Sequence, residues 1–191
     1  MMYVLDTCVL FPTVVRNILL KLALSGEFKP VWSKNIMEEW MWSSKKNGLI
    51  STESARVEII QTKLRFPNAM WKLEDTSTEE YWLPDIDDIH VLTLAIKSKS
   101  KGIITFNKKD FPNTVIGKYN LFSVTPDQFI LGIFKENSNL VSKICHLELD
   151  EINKTFEKQL SIKSLLKKAQ LPKLAKACLL YTSDAADEED S

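Results

Sequence analysis

The stretch Leu83-Pro84-Asp85-Ile86-Asp87-Asp88-Ile89-His90-Val91-Leu92, followed by Gly102-Ile103-Ile104-Thr105, most narrows what this chain can become. Pro84 disfavours helix at Leu83, and the Asp85 side chain can accept a hydrogen bond from a free first-turn amide, so a helix starts there. It is expected to run to about Ser100, where Gly102 releases the chain into a short apolar strand. A strand, a helix and a strand of this length make a right-handed parallel crossover. The chain is therefore committed to an α/β fold with a central parallel sheet and helices on both faces.

The acids at this helix start have two explanations. One is local: Asp85 caps the helix, and Asp87 and Asp88 are favoured near the positive end of the helix dipole by about 0.3–1 kcal/mol each. The other is a site. Asp85, Asp88, Val91, Leu92 and Ala95 recur at spacings of three and four, which puts Asp88 at the N-terminal end of the apolar face, directed at the sheet. Asp87 is rotated off that face, toward solvent.

Other segments supply the rest of the sheet. Tyr3-Val4-Leu5 reads as a buried parallel strand whose carboxyl end carries Asp6. Val15, Ile18, Leu19, Leu22 and Ala23 form a helical stripe that stops at Gly26, a C-terminal cap. Lys29-Pro30-Val31-Trp32 is a short strand, and Ser33 caps a helix carrying Ile36, Met37, Trp40 and Met41 inward. On that helix Glu39 borders the buried face, and Glu38 is less favourably placed. A less regular helix covers Thr52 to Leu64, and Asn68 to Leu83 is a loop with one short strand, whose Trp71, Tyr81 and Trp82 are assigned to packing because bases are sparse around them. Asn107-Lys108-Lys109-Asp110 forms the loop at the carboxyl end of the 103–105 strand, where open parallel sheets place ligands. Leu121-Phe122-Ser123-Val124 is a further strand, and Thr125-Pro126-Asp127-Gln128 opens another helix with capping-box spacing.

The last segment, from Cys178 through Tyr181-Thr182-Ser183-Asp184 to Ser191, resembles the translated read-through of a transposase-type sequencing adapter; an acidic, disordered tail is the alternative. The expected organisation is one domain over 1–135, a helical extension over 136–177 and this tail over 178–191. The whole chain has 25 basic and 25 acidic residues, and the tail holds five of the acids and no base, so the remainder carries 25 against 20, net +5. That mild excess is compatible with a polyanionic partner. Cys8, Cys145 and Cys178 have neither metal-ligand nor disulfide spacing, so reduced thiols are expected. Without an apolar run of membrane-spanning length or a signal peptide, the expectation is a cytoplasmic protein with no membrane partner.

Four pieces in order carry a family likeness: Val4-Leu5-Asp6-Thr7, Ser33-Lys34-Asn35-Ile36-Met37-Glu38-Glu39-Trp40, Asp85-Ile86-Asp87-Asp88-Ile89-His90-Val91-Leu92 and Thr105-Phe106-Asn107-Lys108-Lys109-Asp110-Phe111-Pro112. Over residues 1 to about 131 the chain resembles the PIN domain, the metal-dependent nuclease fold found in VapC-type toxins of toxin–antitoxin pairs. The resemblance implies a three-layer fold with Asp6, Glu39 and Asp88 as the core metal-site acids, Asn107 or Asp110 in the fourth position and Asp85 as an outer or additional ligand. It implies magnesium or manganese as cofactor, an RNA substrate, a cognate antitoxin protein and a homodimer. Hydrolysis would leave 5′-phosphate and 3′-hydroxyl ends. A neutral Asn107, where the family often has aspartate, departs from the pattern and weakens the case for a tightly held second metal.

The chemistry behind such a set is direct. Two carboxylates about 4 Å apart repel by roughly 1 kcal/mol in water and about 4 kcal/mol at an effective dielectric of 20, so several together call for a cation or a proton. Magnesium and manganese take oxygen ligands and accept phosphate oxygens. Thr7 and Thr105 are placed to orient the carboxylates, His90 is assigned an outer or structural role, and Lys108 and Lys109 are candidates for phosphate contact. The alternative of another class is a catalytically inactive PIN-fold module that binds RNA or protein. An aspartyl-nucleophile phosphohydrolase built on Asp6 lacks its second aspartate, because Cys8 stands there.

Overall fold

The computed structural model describes residues 1–46, 48–73, 81–157 and 159–189. In chain order the elements are β1 (Met2–Leu5), α1 (Thr7–Leu10), α2 (Thr13–Leu24), β2 (Lys29–Ser33), α3 (Lys34–Lys45), α4 (Leu49–Arg65) and β3 (Met70–Trp71), then α5 (Ile89–Lys97), β4 (Gly102–Ile104), α6 (Asn113–Ile116) and β5 (Phe122–Val124). Four more helices follow: α7 (Pro126–Glu136), α8 (Ser138–Phe156), α9 (Ile162–Lys168) and α10 (Pro172–Glu189). The chain divides into two compact units, one of Met1–Phe11 with Phe28–Thr125, the other of Pro12–Glu27 with Pro126–Ser191.

The first unit holds a five-stranded, all-parallel sheet in the order β3-β2-β1-β4-β5. This is a PIN-like α/β arrangement. Tyr3, Val4 and Leu5 are buried in succession, so both faces of the central strand are covered, and an unbroken apolar run rather than an alternating one is what such a strand requires. Val4 pairs with Val31 on one side and Ile103 on the other, and Leu5 pairs with Ile104. The chain leaves β1 toward β2 on one flank and returns as β4 on the other. A crevice opens at such a reversal, outside the carboxyl ends of the strands.

Two sequence choices enforce this register. A Cβ on Gly102 would sit 2.5 Å from the Phe122 carbonyl oxygen, so β4 can approach β5 only with glycine at that position. The Ser33 side chain accepts a hydrogen bond from the Ile36 amide at 3.3 Å in a buried setting and so starts α3 directly off β2. Ser33→Ala should cost about 1 kcal/mol. The midpoint of denaturant-induced unfolding measures it, with an unchanged slope expected.

The helix at Asp85 differs in detail from the expectation. Its first turn, Ile86–Asp88, is 3-10, and the α-helical part begins at Ile89 and ends at Lys97, followed by Lys99 in the left-handed region. Asp85 Oδ1 accepts from the Asp87 amide at 3.0 Å, which tightens the turn. Helix α4 spans more than Thr52 to Leu64; it buries Ala55 and Ile59 and leaves Val57, Ile60 and Leu64 exposed, in keeping with its irregular pattern. The expected loop from Asn68 to Leu83 contains β3, and its residues 74–80 lie outside the described residues, as do Asn47 and the final Asp190 and Ser191.

The second unit is helical. Glu148 on α8 is fully buried and accepts from Asn17 Nδ2 and Lys21 Nζ, both at 2.9 Å, which compensates its charge. Asp127 accepts from the Lys173 and Leu174 amides and thereby caps α10 from 46 or 47 residues away. Helix α10 continues through Cys178 without a break.

Candidate metal centre

Asp6 follows β1 and stands at the N-terminus of α1, yet its side chain makes no capping hydrogen bond. The backbone carbonyl of Asp6 receives the Val9 and Leu10 amides, and its carboxylate turns elsewhere. Because β1 and β4 are parallel and in register, Thr105 emerges beside Asp6, and the Asp6 amide bonds the Ile104 carbonyl at 3.2 Å. The Thr105 hydroxyl donates to Asp6 Oδ2 at 2.7 Å and receives the Asn107 amide at 2.9 Å. Cys8 donates to the same Asp6 oxygen at 3.0 Å, and its sulfur accepts the Phe106 amide at 3.2 Å. Burial, and then the charge of Asp6, push the Cys8 thiol up to about 12, so it stays protonated and remains a donor. Asp6 is 6 % exposed, and two donors converging on Oδ2 fix the plane of its carboxylate.

Asp85, Asp88 and Asp110 come together beyond the strand ends, each offering an oxygen within 4.8 Å of the others. The 3-10 turn explains half of this. The turn covers Ile86–Asp88 with Asp85 as its extended N-cap, so Asp85 and Asp88 bracket one tight turn and their carboxylates come close. Asp110 arrives on the loop after β4, where its amide bonds the Asn107 carbonyl at 3.2 Å and the Asn107 side-chain amide donates to its carboxylate. Burial raises the Asp88 carboxyl, and the charges of Asp6, Asp85 and Asp110 raise it further, against a small opposing pull from His90. The result is about 7. Asp6 is thus electrically part of the cluster although it is not among the three gathered oxygens. Asp87 is exposed.

Glu39 lies on the inward border of α3, and Thr7 Oγ1 donates to its Oε2 at 2.5 Å while His90 Nε2 meets its Oε1 at 2.6 Å. Burial alone would raise this carboxyl. The hydrogen bonds from His90 and Thr7, with the charge of His90, outweigh burial and hold it below the usual carboxylate value. Glu38 points away, paired with Lys34 at 3.3 Å on the exposed side of the helix. The Nδ1 atom of His90 is buried with no partner. In the 107–110 loop Lys108 is half-buried and Lys109 exposed.

The donor set fits a hard divalent cation. Its three gathered ligands are all carboxylates. One of them is held far above its ordinary range, first by burial and then by the charges of its neighbours, and a bound cation would relieve the part that is repulsion. Asp85, Asp88 and Asp110 are the residues that could hold it, with Asp6 adjoining.

The PIN domain profile matches residues 2–109, more than half of the 191-residue chain, from β1 through the loop after β4. The chain belongs to the PIN domain family. PIN domains are a nuclease family, and in general they are hydrolases that use divalent metals. Comparison with curated proteins and with solved structures finds no match. No helix among the described residues is long and apolar enough to cross a membrane.

For this PIN domain, Cys8 is the contributor that sequence reasoning did not assign. Its hydrogen bonds reach Asp6 two residues before it and Phe106 across 98 positions, and no local pattern announces a contact of that kind.

Proposed function

We propose that this PIN domain is a magnesium- or manganese-dependent endoribonuclease that hydrolyses RNA phosphodiester bonds, and that it is the toxin of a toxin–antitoxin pair or a relative of one. The observation that carries the reading is the convergence of Asp85, Asp88 and Asp110, with Asp88 raised to about 7, in a chain of a nuclease family. A cytoplasmic location, a cognate antitoxin protein and a homodimer belong to the same reading through the family likeness.

A hard divalent ion held there would activate water and neutralise charge on the phosphate and the leaving oxygen. The chain's own residues hold the geometry. Thr105 and Cys8 lock the Asp6 carboxylate by donating to one oxygen, which orients the other. His90 and Thr7 keep Glu39 ionised and fixed, so α3 presents a constant negative charge beside the centre. Asn107 braces Asp110 with its side-chain amide, a role a neutral residue performs better than an aspartate would. Lys108 and Lys109 flank the loop and supply positive charge for the substrate backbone.

The purified protein should degrade RNA when magnesium or manganese is added and leave it intact in EDTA, with new ends carrying 5′-phosphate. The second reading, an inactive PIN-fold module that binds RNA or protein, draws on the hydrogen bonds that already occupy both oxygens of Glu39. It predicts retention of RNA with or without metal and no new 5′ ends. Mapping the ends after incubation with each metal separates the two.

A further inference from the structure

The charge of this chain is unevenly placed. Between Leu160 and Ser183 the sequence holds Lys163, Lys167, Lys168, Lys173 and Lys176 and no acidic residue. These five make up the whole +5 excess found outside the acidic tail, because the other 20 basic residues face 20 acidic ones. All five precede Cys178, and all lie outside residues 2–109, which the PIN profile matches.

The fold sets them on a rigid hairpin within the second unit. Helices α9 and α10 pack together across a turn, 169–171, in which Gln170 is left-handed (φ 59°) and the Leu171 amide bonds the Leu166 carbonyl at 2.9 Å. Ser161 caps α9 and Asp127 caps α10, so both helix starts are fixed. Ile162, Leu165, Leu166, Leu171 and Leu174 are buried, whereas the five lysines are exposed. No ion pair among the described residues engages them, in contrast to Lys21 and Lys34, which meet Glu148 and Glu38.

Local structure explains only part of this pattern. Lys167 and Lys168 close α9, where positive charge suits the helix dipole. Lys163 and Lys173 stand in the first turns of α9 and α10, at the positive ends, where a cation is disfavoured. Lys163 is also four residues from Lys167, a like-charge pair that weakens a helix. The arrangement opposes helix stability and concentrates a positive field, which suits a polyanion. From Leu160 to Leu180 there is no aromatic ring on which a base could stack. From Ile162 to Lys176 every leucine and isoleucine is buried, so this stretch has no apolar face to enter a lipid layer.

We propose that the α9–α10 hairpin is a nucleic-acid site in its own right, whose five lysines take the phosphodiester backbone and read no base. The site is independent of the nuclease reading, since a protein that cuts nothing can still grip a backbone there.

The test is fluorescence anisotropy of a fluorescein-labelled RNA duplex, titrated with the full chain in EDTA at several salt concentrations. Lys163→Gln, Lys167→Gln and Lys168→Gln together should weaken binding at least about 10-fold near 0.1 M salt, and Lys173→Gln with Lys176→Gln about 5-fold. The slope of log affinity against log salt should become shallower by roughly one unit per lysine replaced. Arginine at all five positions keeps the charge and should keep both affinity and slope. Duplexes of unrelated sequence, and a DNA duplex, should show the same dependence on the hairpin, because phosphate is common to all. As a control, Lys135→Gln, Lys143→Gln and Lys154→Gln together remove three exposed lysines of α7 and α8 and should change little. Thermal melts of the glutamine variants should match or exceed the parent, since every replaced side chain is exposed. Parent affinity in both hairpin glutamine variants overturns the proposal. So does an equal loss in the control, which would make net charge alone the cause, and so does binding confined to one sequence. Hairpin-dependent sedimentation with phosphatidylserine vesicles, alongside unaltered duplex binding, assigns the surface to a membrane and overturns it as well. Cleavage in magnesium is read in parallel. If the variants lose duplex binding in a protein that cuts no RNA, the hairpin site stands and the nuclease reading falls. If RNA is cut and the variants bind as the parent does, the nuclease reading stands and the hairpin site falls.

Discussion

Replacing Asp88 with asparagine is expected to lower metal-dependent RNA cleavage by at least about 100-fold, the scale of losing one electrostatic stabiliser of a transition state, without lowering the stability of the metal-free protein. The two halves of this expectation come from one fact. Without a bound cation, burial and the charges of Asp6, Asp85 and Asp110 push the Asp88 carboxyl up to about 7, so its negative charge is a burden on the fold. Asparagine keeps the shape and removes the charge. Stability is then equal or higher, while the three-carboxylate set loses its middle member. Asp6→Asn should cause a similar loss of cleavage, and its remaining side-chain oxygen can still accept from Thr105 and Cys8. Initial rates with added magnesium or manganese, alongside thermal melts in EDTA, measure both effects. Cleavage that survives both substitutions removes the nuclease reading.

The backbone of this centre was readable from the chain because it depends on local signals. Pro84 and Asp85 mark the helix start, short apolar runs ending in Asp6 and Thr105 mark two strands, and Gly102 marks the release of the chain from the helix into β4. The side-chain network was less readable, because it is written across the fold. Three- and four-residue spacing is that of an α-helix, whereas the observed first turn, Ile86–Asp88, is 3-10, and the spacing did not reveal that Asp88 meets both Asp85 and Asp110. Asp127, which reads as part of a capping box for its own helix, spends its carboxylate on the first amides of α10. Cys8, expected only as a reduced thiol, acts as a hydrogen-bond donor to Asp6. In each case the residue's identity is compatible with a local role, and only a partner distant in sequence or a tighter turn selects the actual one. The adjacent pair Glu38 and Glu39 divides in the same way, with Lys34 engaging the first on the exposed side and Thr7 and His90 engaging the second.

The same crowding of acids predicts that stability depends on pH and metal together. The Asp88 carboxyl is raised in the folded protein, from an ordinary value of 3.8 to about 7, so between those values the folded state holds a proton that the unfolded state has released. Stability must therefore fall as pH rises through that window, with the cost fully developed above about pH 7. Glu39, held below its ordinary value, acts in the opposite sense: its contribution is present above the usual carboxylate range and is lost only as pH falls through its lowered value. Magnesium or manganese binds the deprotonated cluster, so it should stabilise the protein most where Asp88 is ionised. At a free concentration about 100 times the dissociation constant the gain is about 2.7 kcal/mol. For a chain of this size that raises the melting temperature by roughly 5–10 °C. Near pH 5 a proton on Asp88 competes with the metal, and the rise should shrink to a small part of its value near pH 8. Asp88→Asn should flatten both the decline with pH and the rise with metal. Melting curves at the two pH values, with and without the ion, decide the matter: an equal metal-induced rise at both, or none at the higher pH, would mean that Asp85, Asp88 and Asp110 do not act as a cation site.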